Sequence, residues 1–175
     1  MSTVDMMILG VLMEGPMNAY EMKKILESRN VKAWAKLSSP AIYKNLLKLH
    51  HAGYVDGEVV RDGSMPEKTI YTINENGKKH FGQLLKHFSD EPGVVYIEFA
   101  SFISNLNYVE KAEGLEMLEN LQTKIHEEHN KIQRYYDTKA NSAFYAVTLL
   151  ELYLQMYEGF DHWIEDFKIQ YKEKQ

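Results

Sequence analysis

The 175-residue chain contains no cysteine, and this absence excludes several kinds of chemistry. Without thiols there is no disulfide, no thiol nucleophile and no cysteine-ligated zinc. No apolar run reaches the roughly 18 residues that a membrane-spanning helix needs. The opening residues, Met1 to Asp5, also lack the basic start and the small-residue cleavage site of a secretory signal. We therefore expect a cytoplasmic protein that does not bind a membrane.

Motifs for catalysis and for cofactor binding are missing as well. The sequence has no glycine-rich phosphate loop and no pairing of a nucleophile with a base. The segment His126-Glu127-Glu128-His129 is similar to a zinc-protease motif, but its histidines are three positions apart instead of four and no third ligand is evident. We interpret this segment as a solvated helix face, and we expect no enzyme activity, no metal and no cofactor.

Positive charge is scarce and unevenly distributed along the chain, whose net charge is −5. Residues 1–80 hold 11 lysines and arginines against 9 acidic residues, whereas residues 81–175 hold 9 against 16. A polyanion such as DNA is therefore expected to bind the first half. The positive excess of that half is small, so charge alone does not identify a DNA-binding protein.

The first half of the chain is predicted to begin with three helices. Residues 4–13 are mostly apolar and are followed by the stop signal Gly15-Pro16, which predicts a buried helix. Asn18 and Glu21 have the spacing of a capping box and therefore start a second helix. A third helix covers residues 39–52, because a serine cap and a proline in the first turn begin it and a glycine ends it.

A β-hairpin and a fourth helix are predicted next. Residues 54–60 and 69–73 have the composition of strands, and residues 61–68 hold the turn between them. The fourth helix covers residues 75–88. This order of elements is that of a winged helix-turn-helix, in which the third helix enters the major groove of DNA and the hairpin approaches the flanking backbone.

The third helix carries the main candidates for DNA contact. Its apolar residues define one buried stripe, formed by Ile42, Leu46 and Leu49. The opposite face is small at its start and cationic further along, with Pro40, Ala41, Lys44 and Lys48. Such a face can approach base edges closely while its lysines meet guanine or phosphate.

The second half of the chain is predicted to be all helical. Ser89 to Gly93 form the clearest boundary, which gives a DNA-binding domain at residues 1–88 and a second domain at residues 94–175. Helices are expected at about residues 94–106, 108–138 and 141–172. The fold class is therefore mainly α, with a winged helix-turn-helix followed by a helical domain.

The last helix is apolar on nearly all sides, which two neighbouring helices cannot cover. A second copy of the chain is the economical source of further cover, so we expect this helical domain to dimerise. The residues predicted at the dimer interface are Leu149, Leu152, Tyr153, Met156, Phe160 and Trp163.

Several short motifs together resemble the PadR family of transcriptional regulators. Residues 9–22, with Gly15-Pro16 and Tyr20-Glu21, are similar to the family's opening. Residues 39–43, Ser-Pro-Ala-Ile-Tyr, resemble the start of its recognition helix, and Gly63, Pro66, Lys68 and Gly77 resemble its wing. Leu152 to Ile164 resemble the C-terminal helix of the longer members, which are related to virulence activators of the AphA kind.

This resemblance implies a homodimeric regulator, with repression favoured over activation, that binds a pseudo-palindromic operator on double-stranded DNA. It also implies control by a small aromatic effector. Lys44 and Lys48, with Pro40 and Ala41, are expected to meet bases and phosphates. The other residues expected at the DNA are Tyr20, Lys23, Ser39, Tyr43, Arg61, Ser64 and Lys68.

A different class of function remains open on the sequence alone. A winged helix can bind another protein instead of DNA, and the small positive excess of residues 1–80 is compatible with that alternative. The salt dependence of duplex binding separates the two, because phosphate contacts make affinity fall steeply with salt concentration.

Overall fold

The chain forms two compact units, one of residues 1–95 and one of residues 96–175. Each unit has a hydrophobic core of its own. The computed structural model describes residues 2–29, 31, 38–61, 67–139 and 143–173.

Three helices open the first unit: α1 (Thr3–Leu12), α2 (Ala19–Ser28) and α3 (Ser39–His51). Each begins with a side-chain cap. Ser2 caps α1, Asn18 caps α2 in a capping box with Glu21, and the Ser38 hydroxyl accepts a hydrogen bond from the Ala41 N–H at the start of α3. These caps satisfy backbone donors that the first turn of a helix leaves free. The three helices therefore begin where the sequence predicts them.

A hairpin of two antiparallel strands, β1 (Val55–Val60) and β2 (Lys68–Ile73), forms the wing. Its register pairs Val55 with Ile73 and Val60 with Lys68. Met17, in the turn between α1 and α2, joins the other edge of β2 through two backbone hydrogen bonds with Tyr71, at 3.1 and 2.9 Å. The base of the wing is thereby fixed to the helical part of the unit.

The fourth helix, α4 (Glu75–Asp90), begins at Asn74 and packs closely against the base of the wing. The Asn74 side chain accepts a hydrogen bond from the Gly77 N–H and donates one to the Asp56 carboxylate. A Cβ at Gly77 would overlap the carbonyl oxygen of Tyr54. This close approach of helix and backbone therefore requires glycine.

The core of the first unit receives apolar side chains from all four helices and from the hairpin. Its fully buried members with the largest side chains are Ile8, Leu9, Met22, Leu46, Leu49, Val55 and Leu84. Burial of Ile42, Leu46 and Leu49 confirms the predicted inner stripe of the third helix. The opposite side of α3 faces solvent in this unit.

The second unit is dominated by two long helices, α6 (Lys111–Asp137) and α7 (Phe144–Glu173), which follow a short helix α5 (Ala100–Ile103) and a 3-10 turn at Leu106–Tyr108. The long helices run antiparallel, because Tyr136 bonds Glu151 near their connection while Gly114 lies against Tyr171 at the far end. Leu106, Leu118, Ile125 and Ile164 are the buried centre of this unit.

The prediction of one helix over residues 94–106 is wrong. Residues 91–97 contain no helix, and α5 is only four residues long. Gly93 takes a positive φ of 87°, and the β-branched Val94 and Val95 that follow lose χ1 freedom in a helix. The Phe99 position before α5 has no side-chain cap, so nothing in this segment offsets the cost of starting a longer helix.

The architecture confirms the predicted fold class, a mainly α protein with a winged helix-turn-helix followed by a helical unit. None of the helices in the described ranges combines the length and the apolar character needed to cross a bilayer.

Candidate nucleic-acid interface

The predicted DNA contacts of the third helix lie on its solvent side. Pro40, Tyr43, Lys44 and Lys48 are exposed, and Ser39 and Ala41 are half-buried. The first turn combines the N-terminal end of a helix with the exposed Pro40 ring. Pro40 has no N–H and Ser38 accepts the N–H of Ala41, so it is mainly the helix dipole that favours an anion at this end. The face therefore offers a phosphate-compatible start and cationic side chains one and two turns later.

Lys48 differs from Lys44 because an internal carboxylate holds its ammonium group. The Nζ atom of Lys48 lies 2.7 Å from Oδ2 of Asp5, a residue of α1 that is 4% exposed. The second carboxylate oxygen of Asp5 is buried and has no hydrogen-bond partner in the part of the chain that the structure describes. A buried carboxylate is costly unless it is paired, so Lys48 has a structural role that the sequence analysis missed.

This ion pair leaves Lys48 partly available to a ligand. Its side chain is still 60% exposed, and an ammonium group has three N–H donors, of which Asp5 needs one. Lys44 is exposed and shows no ion pair with any residue in the described ranges. Lys44 is therefore the less restrained cation of this face.

Leu47 is a further exposed residue of this face that the sequence analysis did not include. It is 49% exposed and lies one helical turn from Lys44 and from His51. Leu47 is neither charged nor small, the two properties by which the other residues of this face were predicted. The helical spacing from Pro40 and Lys44 was the available signal.

On α2, Tyr20 and Lys23 lie at the surface. The Tyr20 ring is exposed, and the ammonium group of Lys24 lies 4.7 Å from the ring centroid in a cation–π contact. Lys23 is 3.9 Å from Glu27, one turn along the helix, so part of its charge is compensated. Lys24 thus adds a cation beside Tyr20 that the sequence analysis had not selected.

Arg61 and Lys68 come together at the outer end of the hairpin. Lys68 pairs with Val60, and Arg61 directly follows Val60. Both side chains belong to exposed residues. Ser64, the third residue predicted in the wing, lies outside the described residues.

A bidentate ion pair ties the turn after α1 to the end of α2. The two guanidinium Nη atoms of Arg29 lie 2.7 and 2.6 Å from the two carboxylate oxygens of Glu14. These hydrogen bonds lower the pKa of Glu14 and raise the pKa of Arg29, with burial acting in the opposite direction on each. The pair therefore links α1 to α2 at the surface of the first unit.

The histidine segment of α6 makes interhelical contacts. His126 lies 2.8 Å from Asp161 and His129 lies 3.6 Å from Glu158, both on α7. Burial alone would raise the pKa of Asp161, but hydrogen bonds from Gln122 and His126 outweigh it and lower that pKa. In the described ranges no group of histidine and acidic side chains is arranged to hold a metal ion.

The residues predicted at a dimer interface divide into two groups. Leu149, Leu152 and Trp163 are exposed, whereas Tyr153, Met156 and Phe160 are half-buried within the second unit. The Phe160 ring packs edge-on against Phe99, with centroids 5.4 Å apart. Phe160 therefore already contributes to the core of its own unit.

A set of exposed and half-buried residues of α7, most of them apolar, follows a spacing of four and three residues. They form one stripe, here called the α7 stripe, of Tyr145, Leu149, Leu152, Met156, Gly159 and Trp163. This spacing places them along one side of a helix. The side that packs on α6 carries Leu154, Asp161 and Ile164 and lies roughly opposite.

A model of the transcriptional regulator PadR-like family matches residues 8–83 of the chain, which include the second half of α1, all of α2 and α3, both strands and part of α4. Residues 8–83 are thus similar in sequence to the PadR-like family. The negative transcriptional regulator PadR of Bacillus subtilis (strain 168) is 29% identical over 109 residues, which cover 61% of this chain and 59% of that protein. The chain thus matches about three fifths of the length of this relative.

Solved structures of PadR-type proteins have the same fold over nearly the whole chain. Bacillus subtilis PadR in complex with operator DNA gives a TM-score of 0.82 at 20% identity, with 98% of each chain covered. The same protein with p-coumaric acid gives 0.79 at 19% identity, with 99% of each chain covered. The Vibrio cholerae virulence activator AphA gives 0.70 at 16% identity, with 96% of this chain and 97% of that chain covered.

These comparisons confirm the family predicted from the short motifs and extend the fold match into the helical unit that follows residue 95. The family and its relatives are transcriptional regulators and not enzymes, which confirms that expectation as well.

Proposed function

We propose that this PadR-family regulator is a homodimeric repressor that binds a pseudo-palindromic DNA operator through its first unit. The observation that carries the proposal is the solvent face of α3. There, a capped N-terminus, Lys44 and the partly free Lys48 lie on the exposed side of a helix whose other side is fully buried. The complex of Bacillus subtilis PadR with operator DNA, on the same fold, supports it.

In the proposed complex, α3 lies in the major groove. Lys44 and Lys48, with Pro40 and Ala41, approach base edges and phosphates, and the Asp5 carboxylate restrains the Lys48 ammonium on the helix surface. The residues proposed to hold the DNA backbone are Tyr20, Lys23, Ser39, Tyr43, Arg61, Ser64 and Lys68.

The α7 stripe is the proposed centre of the dimer interface. A second copy is the occupant that fits, because the stripe is apolar, narrow and long, and two such stripes related by a two-fold axis cover each other. Gly159 has no side chain to hold two helices apart, and the space beside it is open, with nothing within 4 Å of a Cβ built there. In such a dimer two copies of α3 would meet half-sites about one helical turn, ~34–36 Å, apart.

The proposal includes control by a small aromatic effector and a cytoplasmic location. Its support for the effector is the complex of Bacillus subtilis PadR with p-coumaric acid on the same fold. Addition of p-coumarate to the protein–operator complex should then release DNA, and benzoate and phenol are suitable ring controls. Unchanged DNA affinity with all three compounds would remove this class of simple phenolic effector.

The decisive experiment is selection of bound duplexes from a random pool, followed by sequencing and by affinity measurements at several salt concentrations. We expect an inverted repeat with half-sites about one turn apart and an affinity that falls steeply with salt. Lys44→Ala should weaken binding by about 1–3 kcal/mol. Lys86→Ala, an exposed lysine of α4, is the matched control. Absence of any enriched sequence would favour a winged helix that binds protein.

The dimer is tested independently of DNA. Leu152→Glu places a charge in the middle of the α7 stripe and should give a monomer by light scattering. Ile169→Glu is the matched control, because Ile169 is similarly exposed on the same helix but lies away from the stripe. A Leu152→Glu protein that keeps the mass of a dimer would exclude the stripe as the interface.

A further inference from the structure

Leu47 occupies the middle of the α3 face that is proposed to enter the major groove. It follows Lys44 by three residues and precedes His51 by four, so these side chains lie along the same exposed side. Almost half of Leu47 is exposed, and it takes no part in the core of the first unit. Its side chain is therefore not explained by packing within this unit.

The two lysines beside Leu47 differ in how freely they can reach DNA. Lys48 is held by Asp5 at 2.7 Å, which keeps its ammonium group toward α1. Lys44 is free to reach a guanine or a phosphate. Tyr43, one turn before Leu47, is also exposed, so an apolar strip of two side chains lies beside the cation. A leucine in this place can offer DNA only an apolar contact.

We infer that Leu47 is a specificity-determining residue that contacts the C5-methyl group of a thymine in each half-site. This inference rests on the proposed DNA-binding function. Thymine is the base whose major-groove edge carries a methyl group, whereas the edges of guanine, cytosine and adenine display hydrogen-bonding groups at that side. Leucine pressed against such a polar edge removes water without replacing its hydrogen bonds, which disfavours the other bases.

The test removes one methyl group at a time from the DNA. In the operator obtained by selection, each thymine is replaced in turn by deoxyuridine, which differs from thymine only by the missing methyl group. One buried methyl-sized group corresponds to ~0.8 kcal/mol, or about fourfold in affinity. For the wild-type protein we expect one position in the half-site at which deoxyuridine weakens binding by about this factor.

The Leu47→Ala variant should bind more weakly than wild type and should no longer distinguish thymine from deoxyuridine at that position. Leu85→Ala is the matched control, because Leu85 is an equally exposed leucine on α4 of the same unit. It should keep the full response to the missing methyl group. Leu47→Gln should move the preference at this base pair toward adenine, whose N6 and N7 atoms a glutamine side chain can bond together.

The outcomes separate this assignment from the function on which it rests. A wild-type protein that selects no duplex overturns the proposed function and the assignment together. A wild-type protein that selects an operator but is indifferent to every thymine methyl group overturns the role of Leu47 alone. The same holds if Leu47→Ala keeps the fourfold penalty at the sensitive position.

Discussion

Removal of the Lys48 side chain should destabilise the first unit, although Lys48 lies at the surface. The Lys48→Ala variant leaves the Asp5 carboxylate buried without its counter-charge. The other oxygen of this carboxylate already lacks a partner in the described ranges, so both oxygens would then be unpaired there. Lys44→Ala, one turn earlier on the same helix, removes an identical side chain that has no such partner in those ranges. The two variants therefore differ in one feature, which is whether the buried Asp5 carboxylate has lost its partner.

The expected magnitude follows from the burial of the two partners. Removing one member of a fully buried ion pair costs about 3–5 kcal/mol. Here Asp5 is 4% exposed but Lys48 is 60% exposed, so solvent screens the pair and the loss should be smaller. We expect a loss of about 1–3 kcal/mol in the free energy of unfolding for Lys48→Ala. For Lys44→Ala we expect a change within about 0.5 kcal/mol.

Urea unfolding followed by circular dichroism measures the difference, and hydrogen exchange assigns it to a unit. Amide protons of α1 and α3 should exchange faster in Lys48→Ala, while those of α6 and α7 should be unaffected. The double variant Asp5→Asn/Lys48→Ala removes the charge together with its partner and should recover most of the lost stability.

Equal stabilities of Lys48→Ala and Lys44→Ala would refute the reasoning, since they would show that Asp5 does not depend on Lys48 as its counter-charge. Equal losses in the single variant Lys48→Ala and in the double variant would also refute it. The cost would then come from lost packing of the lysine stem and not from an unpaired carboxylate.

Two further perturbations follow from close contacts in the first unit. Gly77→Ala should lower the free energy of unfolding in urea by about 1–3 kcal/mol, because the new Cβ overlaps the Tyr54 carbonyl oxygen. Gly82→Ala, on the open side of α4, should raise it by up to about 1 kcal/mol. A Gly77→Ala protein that is more stable than the Gly82→Ala protein would contradict the close packing at Gly77. The Arg29 hydrogen bonds lower the pKa of Glu14, so their contribution is present above the ordinary glutamate pKa of about 4.3 and is lost as pH falls through the lower folded-state value. Between about pH 5 and pH 3 the wild type should therefore lose up to about 1 kcal/mol more stability than Glu14→Gln, and parallel pH profiles would exclude this role.

Local signals were sufficient for most of the first unit. The starts of α2 and α3 follow from Asn18 with Glu21 and from Ser38 before Pro40, because capping depends on residues close in sequence. The ion pair between Asp5 and Lys48 could not be predicted in this way, since its partners are 43 positions apart. A lone aspartate inside an apolar run was the available hint of a buried counter-charge.

The errors in the second half have a related origin. A four-residue helix followed by a 3-10 turn replaces the single helix expected after Gly93. The apolar residues of this segment pack on the long helices, and such tertiary contacts cannot be read from local sequence preferences. For α7 the sequence showed apolar residues on all sides but not which side meets α6. The antiparallel pairing of α6 and α7 decides this, and it leaves Leu152 and Trp163 outside while Leu154 and Ile164 are buried.

The backbone pairing of Met17 with Tyr71 also affects how the protein behaves at high concentration. An unpaired strand edge is a template on which strands of other molecules can add. β1 covers one edge of β2 and Met17 pairs with the other edge at Tyr71, whereas no strand in the described residues pairs with the outer edge of β1. The exposed Asp56 and Glu58 lie on that strand, and two copies approaching edge to edge would bring these negative charges together. These charges therefore disfavour the growth of a fibre from the outer edge of β1.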